Sequence, residues 1–507
     1  MTFNPEQYFN KLEIKASDFS LPLPPKPHPI HPNIVNLSNA RPNVGFYPIK
    51  SISIDLKKSP FELDNDNSTS TSTSTSTSLK IPLIDNEESL KKLDITKGLN
   101  YAPWQGFPQL LSHIENFTKF HGVNLDEFKS LITSGSGDSL NKILQGFIDP
   151  GDTILVESST YTPIFAPIEF NKGIMIPIPV EFDPKGEKTH LNPEIIEDLL
   201  ENWSKGPYKD LKFPKIFFTV PTQNPSGLIT SNEIIQKIIK IADKYDLLII
   251  EDDPDGFIRH LPTPLDESST NKSQYLFSNS KFQEYKRSLH NSLYLSTNSP
   301  RVFHLGTFSK TIFPGMRIGY ITSNNKFIDR LQEVSSTTTK SPSGFSQLIL
   351  TNLFNHWNES LSSIIEGYNE DEREGADGFL SWTYQVSIEY TKRFDIVFKH
   401  LKNLKSVTRD LISPVKPQGG MFFIIRFNFK LDRGQFEALR YKFIKYGVLI
   451  ILGNMMSFDK EYSANSDFIR LTLSNVDNSD QIIEGINRLD KSILEYYDFD
   501  YKSQAKL

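Results

Sequence analysis

The feature that most constrains the fold is a short apolar segment that runs directly into three acidic residues. Residues 247–250 are wholly apolar, and Glu251, Asp252, Asp253 and Pro254 follow at once. An uninterrupted apolar run of this length predicts a buried strand, as in a parallel sheet covered by helices. Acids at the carboxyl end of such a strand lie where open α/β sheets bind ligands. The segment therefore predicts an α/β domain with a mostly parallel sheet.

Length and composition limit the class of protein. A chain of 507 residues is too long for one compact core, so we expect two or more lobes. The net charge of −6 does not indicate a nucleic-acid partner, and the absence of cysteine excludes disulfides and thiolate metal sites. The histidines lack metal-binding spacing, and no apolar run is long enough to cross a membrane.

The two termini bear on the compartment. The first residues match neither a secretory signal nor a transit peptide, which favours the cytoplasm. The chain ends in Ala505-Lys506-Leu507, which resembles the peroxisomal address S-K-L. A match of three residues leaves both compartments open.

A lysine lies in a turn between two predicted strands, residues 301–305 and 318–321. The turn holds Thr307, Ser309, Lys310 and Arg317. Amine catalysis needs a lysine whose pKa is lowered by burial or by nearby positive charge, and the other three side chains can donate hydrogen bonds to a phosphate. The pattern suits a Schiff-base lysine beside a phosphate site.

A second anion site is predicted where a short strand, residues 131–133, enters a glycine turn. The residues that follow carry apolar side chains at helical spacing. Free amides and the dipole at a helix N-terminus favour an anion, so Ser136 and Gly137 are candidate phosphate contacts.

Three further segments complete the set. The strand at residues 216–220 leads into Asn224-Pro225-Ser226-Gly227, a turn sequence. Arg470 is the arginine of a predicted strand at residues 468–474, and a guanidinium can bind a carboxylate bidentately. Tyr101 lies in a loop, and Tyr161 follows a predicted strand. From the residues alone, these positions indicate only that the two rings pack against neighbouring groups.

Together these segments, in this order, resemble the fold-type-I pyridoxal-phosphate aminotransferases of classes I and II. The likeness is strongest to fungal aromatic and kynurenine/aminoadipate aminotransferases, and it covers about residues 36–500. It implies a large cofactor-binding α/β domain with a seven-stranded, mostly parallel sheet and a smaller α+β domain. The implied domain limits are 1–50 for an N-terminal arm and part of the small domain, 64–79 for a low-complexity insertion, 80–350 for the large domain with an insertion at about 261–300, and 385–507 for the small domain.

The resemblance also implies a role for each site residue. Lys310 binds pyridoxal 5′-phosphate covalently and then carries the substrate proton, while Asp253 pairs with the pyridine nitrogen and Tyr161 stacks on the ring. Asn224 binds the phenolic oxygen and lies beside the substrate, whose carboxylate Arg470 holds. The implied phosphate contacts are Ser136, Gly137, Thr307, Ser309 and Arg317, together with Tyr101 from the other subunit of a homodimer.

Two positions depart from the family pattern. Gly256 stands where the family usually has a tyrosine that donates to the phenolic oxygen, and Gly137 offers only its amide where a side-chain donor is common. The implied reaction is transamination from an aromatic or 2-aminoadipate-like amino acid to a 2-oxo acid, with 2-oxoglutarate as the expected acceptor. Lyase or decarboxylase chemistry, or a cofactor-binding protein without turnover, such as a regulator, are the alternatives.

Overall fold

The computed structural model describes residues 3–11, 42–57, 59–60, 77–84, 92–183, 190–261, 277–289 and 293–501. The low-complexity residues 64–76, most of the proline-rich N-terminal region and the last six residues lie outside this description. In the described part, no helix is long and apolar enough to span a membrane. The same part contains no cluster of side chains suited to a metal ion.

A seven-stranded sheet forms the centre of the larger lobe, as the sequence predicts. Its strand order is β3-β9-β8-β7-β6-β4-β5. The neighbours from β8 to β5 pair in parallel, and β9 is antiparallel to both β3 and β8. The strands are β3 (Phe128–Thr133), β4 (Thr153–Glu157), β5 (Ile174–Ile178), β6 (Ile216–Thr219), β7 (Leu248–Asp252), β8 (Val302–Thr307) and β9 (Gly319–Asn324).

Apolar burial on both faces explains why these segments form the sheet. Every residue of β4, β6, β7 and β8 is buried. Helices cover the two faces and bury their own apolar stripes, as in Asn232–Tyr245, where Ile235, Ile238 and Ile239 are buried. The helices of this lobe include Pro108–Phe120, Ser136–Phe147, Phe165–Phe170, Pro193–Glu201, Asn232–Tyr245, Asn279–Leu289, Asn325–Thr337 and Gly344–Glu359.

A four-stranded antiparallel sheet forms the smaller lobe. Its order is β10-β11-β13-β12, with β10 at Ile412–Val415, β11 at Phe422–Phe427, β12 at Ile451–Leu452 and β13 at Phe468–Thr472. The helices Arg433–Lys445 and Ser479–Glu495 share its apolar core. The long helix Asp377–Leu401 joins the lobes, since Phe379 and Tyr384 pack in the first core and Phe394 and Leu401 pack in the second.

The N-terminal segment differs from the expected arrangement. Tyr8 is buried in the core of the large sheet, and its hydroxyl contacts Asp246 and the guanidinium of Arg301. Residues 3–11 therefore pack on the large lobe, although the sequence assigned this region in part to the small domain. Two aromatic rings and a buried arginine anchor the segment more strongly than its proline-rich continuation suggests.

Two insertions also contain more structure than their composition indicates. The hairpin of β1 (Ser51–Leu56) and β2 (Thr77–Pro82) flanks the low-complexity run, so β2 begins inside the predicted insertion at 64–79. The polar stretch near 261–300 contains the helix Asn279–Leu289, whose Phe282, Tyr285 and Leu289 are buried. The predicted domain limits themselves stay a prediction.

Candidate active site

A cavity of about 440 Å³ lies at the carboxyl ends of β6, β7 and β8 and reaches the small sheet. It brings together nine of the residues that the sequence singled out. These are Ser136, Gly137, Tyr161, Asn224, Thr307, Ser309, Lys310, Arg317 and Arg470. Tyr101 and Asp253 are the two candidates that do not line it.

One end of the cavity is built to hold an anion. Gly135 caps the helix Ser136–Phe147 with a φ of +99°, and the amides of Ser136 and Gly137 follow at the helix N-terminus. Arg317 donates from Nη2 to the carbonyl of Ser134 at 2.8 Å. A Cβ atom on Gly135 would lie 2.8 Å from that same Nη2, so only glycine fits there. Nothing lies within 4 Å of a Cβ on Gly137, which has room for a side-chain donor.

The turn after β8 places the lysine. The hydroxyls of Thr307 and Ser309 are 3.0 Å apart, and the Ser309 amide donates to Thr307 Oγ1 at 3.2 Å. Thr307 also donates to the carbonyl of Ile318 at 3.3 Å, which ties the turn to the entry of β9. Lys310 follows and is exposed to the cavity. The turn thus presents two hydroxyls and one amine to the same space.

The acids after β7 are arranged differently from the prediction. Asp252, the last residue of β7, and Asp255 line the cavity, whereas Asp253 does not. Asp253 supplies the largest favourable charge interaction of Arg259, a buried guanidinium that donates to Thr222 Oγ1 at 3.0 Å. The structure therefore places the neighbouring Asp252 on the cavity wall, and the pairing of Asp253 with the pyridine nitrogen stays a prediction. Successive side chains of a strand point to opposite faces, and the run of three acids does not reveal which face holds the cavity.

Gly256 is likewise displaced from its expected place. It does not line the cavity, and a Cβ atom on it would lie 2.0 Å from Oδ2 of Asp253. A tyrosine at this position would displace Asp253 and could not simply restore a donor. Asp255, and not Gly256, lies on the cavity wall, where the family resemblance led us to expect Gly256.

Burial dominates the electrostatics of the two cavity acids. It raises the pKa of Asp252 to about 7, and the charges of Asp253 and Asp255 add to the effect. Burial also raises the pKa of Asp255 to about 7, against the opposing charge of Lys310. Oδ1 of each acid has no hydrogen-bond partner among the described atoms. Both carboxyl groups are therefore prepared for a positively charged or proton-donating partner.

A histidine and a second acid lie behind Asp252. His304 Nδ1 and Glu251 Oε2 are 3.0 Å apart on neighbouring strands, and both residues are buried. Burial is the largest single effect and opposes the charged form of His304. The charge and hydrogen bond of Glu251, with the charges of Asp253 and Asp252, together outweigh it and raise the pKa of His304. The positive charge of His304 in turn favours ionised Asp252.

Asn224 and Arg470 meet across the two lobes. Arg470 donates from Nη1 to Asn224 Oδ1 at 2.9 Å, and its guanidinium lies 4.4 Å from the ring centre of Phe422. Burial lowers the pKa of Arg470, while the charges of Tyr161 and Asp255 oppose that change. The ring and the amide fix the guanidinium at the cavity wall with further N–H groups available for a ligand.

The turn that carries Asn224 is fixed by a buried acid. Oε1 of Glu157, the last residue of β4, accepts from Thr219 Oγ1 at 2.7 Å and from the Val220 amide at 2.9 Å. Gln223 donates to Oε2 of Glu157 at 3.3 Å and to the carbonyl of Ser159 at 2.9 Å. Glu157 therefore holds the chain that leads from β6 to Asn224.

The two tyrosines have different surroundings. Tyr161 lines the cavity, and burial together with the charge of Asp252 raises its pKa. Tyr101 is 72% exposed and lies outside this cavity. Its predicted contact with the site of another subunit stays a prediction.

The sequence reading missed Asp252, Asp255, Glu157 and His304. Asp252 and Asp255 lie on either side of Asp253, the residue that the sequence pattern favoured. The run of acids was visible in the sequence, but which of these acids faces the cavity was not. Glu157 ends an apolar strand, as Asp252 does, and that shared position could have identified it. For His304 the sequence contains no signal, since its partner Glu251 lies on another strand.

The residues of the cavity fit pyridoxal 5′-phosphate. The helix N-terminus, two hydroxyls and Arg317 suit its phosphate. The unpartnered Oδ1 of buried Asp252 suits a protonated pyridine nitrogen, and Lys310 is the amine on the same wall that can bind an aldehyde.

Known proteins with similar sequences and structures are aminotransferases. Residues 65–486 match the sequence model of the family "Aminotransferase class I and II". The chain is 30% identical over 489 residues to "Aromatic amino acid aminotransferase 2" of Saccharomyces cerevisiae, covering 94% of this chain and 92% of the relative. It is 29% identical over 317 residues to "L-tyrosine:2-oxoglutarate aminotransferase amt1" of Serpula lacrymans, covering 62% of this chain and 54% of that relative.

A solved structure agrees with the sequence relatives over nearly the whole chain. The aromatic aminotransferase Aro9 from C. albicans superposes with a TM-score of 0.83 at 28% identity, covering 98% of each chain. The chain belongs to the class I and II aminotransferases, fold-type-I enzymes that use pyridoxal 5′-phosphate to move amino groups between amino acids and 2-oxo acids.

Proposed function

We propose that this aminotransferase takes its amino group from aromatic amino acids and passes it to 2-oxoglutarate. The observation that carries the proposal is Arg470, held on Asn224 and Phe422 at the wall of the cavity that contains Lys310. An α-carboxylate bound there lies on the same cavity as the catalytic amine. The apolar wall residues Leu140, Ile164 and Val220 and the names of the relatives support an aromatic donor.

The cofactor would be held by groups from both predicted anion sites. We assign its phosphate to the amides of Ser136 and Gly137, the hydroxyls of Thr307 and Ser309, and Arg317. We assign its pyridine nitrogen to Asp252 in place of Asp253, one face of its ring to Tyr161 and its phenolic oxygen to Asn224. When bound, the ring supplies an electron sink for the electron pair left by removal of the substrate's α-proton.

Lys310 and Arg470 then act on the substrate. Lys310 Nζ would hold the cofactor, and its free amine would take the proton from the substrate's α-carbon and deliver a proton at the end of the transfer. Arg470 fixes the α-carboxylate bidentately, which orients the α-carbon toward Lys310.

A panel of amino donors with 2-oxoglutarate tests the specificity. The panel contains phenylalanine, tyrosine, tryptophan, 2-aminoadipate, aspartate and alanine, and glutamate formation is measured. We expect kcat/KM for the aromatic donors to exceed that for alanine and aspartate by at least about 10-fold, the discrimination that burial of an apolar side chain supplies. A kcat/KM for aspartate above that for the aromatic donors would contradict the proposal. A kcat/KM for 2-aminoadipate above that for the aromatic donors would make 2-aminoadipate-like amino acids the preferred donors instead.

We further propose a homodimer in which Tyr101 completes the neighbour's phosphate site. The exposed ring of Tyr101 and the exposed Phe46, Phe313 and Phe345 support this, because large apolar groups at a surface favour association. Sedimentation at low concentration measures the oligomeric state, and a fully active monomer would contradict the dimer.

We propose the cytoplasm as the compartment. Fluorescence microscopy of an N-terminally tagged chain, with and without Ala505-Lys506-Leu507, tests this. A punctate signal that depends on those three residues would place the enzyme in peroxisomes instead.

A further inference from the structure

Asp255 is a buried carboxyl group on the cavity wall to which the roles above assign nothing. Its side chain is 2% exposed, and its Oδ1 has no hydrogen-bond partner among the described atoms. A buried acceptor without a partner destabilises a fold. Asp255 nevertheless lines the cavity that holds Lys310 and Arg470, a position that favours a chemical role.

The backbone around Asp255 fixes its position. The Ile258 amide donates to the Asp255 carbonyl at 2.8 Å, and the Gly420 amide donates to the Ile258 carbonyl at 2.9 Å. Gly420 has a φ of +71°, and a Cβ atom on it would lie 3.3 Å from Cβ of Asp255. The entry to the small sheet therefore packs directly against this acid and holds its backbone and Cβ atom in place beside the cavity.

Positive charges surround Asp255 on the cavity side. Lys310 exerts the largest charge effect on it, ahead of Arg259 and Arg470, while Asp253 opposes them. Among the described residues, the charged and titratable groups that interact with Asp255 include Lys310, Asp253, Arg259, Arg470, Asp252 and Tyr390. An ionised Asp255 therefore attracts an ammonium group into the space between Lys310 and Arg470.

We propose that Asp255 is a second acid–base residue of this enzyme, which accepts the proton that the ammonium group of the incoming amino acid must lose. This role rests on the aminotransferase activity and concerns the step before the chemistry of Lys310. An ammonium nitrogen has no lone pair and cannot attack carbon. In the proposed step an N–H bond of the ammonium group breaks and an O–H bond forms on Asp255, which leaves a neutral amine and a neutral carboxyl group.

The other acids of the cavity do not fit this role. Asp252 is assigned to the pyridine nitrogen, and Asp253 is outside the cavity beside Arg259. Burial brings the pKa of Asp255 to about 7, much closer to that of an amine than an exposed aspartate, which reduces the free-energy cost of the proton transfer. In a substrate held at its carboxylate by Arg470, the ammonium group is bonded to the adjacent carbon atom, which is the region that Asp255 faces.

Four holoenzymes test the role: wild type, Asp255→Asn, Asp255→Glu and, as a matched control, Asp253→Asn. Each is mixed rapidly with the amino acid that the wild type converts fastest, without an oxo acid, and the cofactor absorbance is followed from pH 5.5 to 9. Using the best donor keeps the result independent of the aromatic assignment. Wild-type kcat/KM for this half-reaction should rise through a group that titrates near pH 7.

We expect Asp255→Asn to lose that rise and to react at least about 10-fold more slowly at pH 7, as for loss of a general base. Asp255→Glu should regain most of the rate, and Asp253→Asn should keep the wild-type profile. Loss of activity in all three variants would indicate a structural effect and would overturn the proposal. An Asp255→Asn enzyme with the wild-type rate and pH profile would overturn it as well.

A measurement without substrate provides a second readout. Titration of the absorbance of the lysine-bound cofactor should give a lower pKa in Asp255→Asn than in wild type, because a negative charge near the nitrogen of Lys310 is removed. The shift in Asp253→Asn should be smaller. An unchanged absorbance titration, or an Asp255→Asn protein that folds but does not retain the cofactor, would remove Asp255 from this role.

Discussion

Asp252 and Asp253 are adjacent buried acids, but they serve different parts of the molecule. Asp252 lines the cavity, and Asp253 supplies the largest favourable charge interaction of the buried Arg259. We expect Asp252→Asn to weaken cofactor binding about 10- to 100-fold, the effect of losing a charged hydrogen bond. Asp253→Asn should bind cofactor nearly as the wild type but lower the free energy of unfolding by a few kcal/mol, because Arg259 loses its main counter-charge.

Fluorescence titration with pyridoxal 5′-phosphate and urea unfolding of the apoenzymes separate these two effects. Equal losses of cofactor affinity in both variants would contradict the different roles. A loss confined to Asp253→Asn would return the ring nitrogen to Asp253.

The raised pKa values of Asp252 and Asp255 make the stability of the apoenzyme depend on pH. Both rise from 3.8 to about 7 on folding, so the folded state binds more protons than the unfolded state between these values. The contribution of these two protonated carboxyl groups to the stability of the folded state is complete below about pH 4. It is lost as the pH rises through about 7. We expect the free energy of unfolding of the apoenzyme to fall over this interval by on the order of 3 kcal/mol per group.

Thermal unfolding of the apoenzymes at pH 5 and pH 8 measures this dependence. Asp255→Asn lacks one titrating group, so it should gain stability relative to wild type at pH 8 and little at pH 5. The exposed variant Asp480→Asn serves as the control and should follow the wild type at both values.

For single residues, the sequence predicted which types of side chain form the site better than which of several neighbouring positions faces the cavity. Lys310, Arg317, Asn224 and Arg470 follow or occupy strands, and the structure brings them to one cavity. The choice among Asp252, Asp253 and Asp255 depended on how the chain turns after β7. That turn is set by Pro254 and by the packing of Asp255 against Gly420, which is 165 residues further along the chain and invisible to a local pattern.

Among the elements, the connection from β6 to Asn224 depends on Glu157 of β4. The Glu157 carboxylate accepts hydrogen bonds from Thr219, the Val220 amide and Gln223. Glu157→Gln replaces one accepting oxygen by an NH₂ group, so a donor then faces other donors. We expect a loss of about 1–3 kcal/mol in the free energy of unfolding. Because Asn224 also holds Arg470, KM for the amino acid should rise more than the Kd for the cofactor.

Steady-state kinetics and urea unfolding check this prediction, and Glu201→Gln, at an exposed site, is the control. If stability falls while KM is unchanged, Glu157 stabilises the sheet without positioning the Asn224 turn.

The burial of each helix and strand explains why some of them were predicted from the sequence and others were not. β7 and β8 are fully buried, so apolar content alone reveals them. The segment at residues 3–11 is short, and its burial comes from distant partners, Asp246 and Arg301. The helix Asn279–Leu289 is polar on average and is held by a few large buried rings, which composition does not separate from an exposed insertion.

For the whole molecule, mixed dimers test whether Tyr101 serves the neighbouring site. Tyr101→Ala and Lys310→Ala subunits, each of low activity alone, are unfolded, mixed and refolded together. If Tyr101 acts across the interface, a mixed dimer contains one site with both wild-type residues, and activity should return to about half of the wild-type value per mixed dimer.

The homodimers refolded separately and then combined are the control for this experiment. If Tyr101 contributed to its own subunit, each site of the mixed dimer would lack one of the two residues. No activity would then be recovered, and the proposed assembly would be wrong.

The Asn224 turn also touches the small lobe through its backbone. The amides of Gln418 and Gly419 donate to the Gly227 carbonyl at 2.8 and 3.0 Å, and a Cβ on Gly227 would lie 2.5 Å from the Phe422 carbonyl. With the Arg470–Asn224 bond, these contacts form a pivot between the lobes. A movement of the small sheet that preserves these hydrogen bonds would keep the carboxylate-binding corner in place. A second link lies at the cleft lined by Ser159, Arg426 and Asp467, where Arg426 Nη1 donates to the Phe182 carbonyl at 2.8 Å and restricts such a movement further.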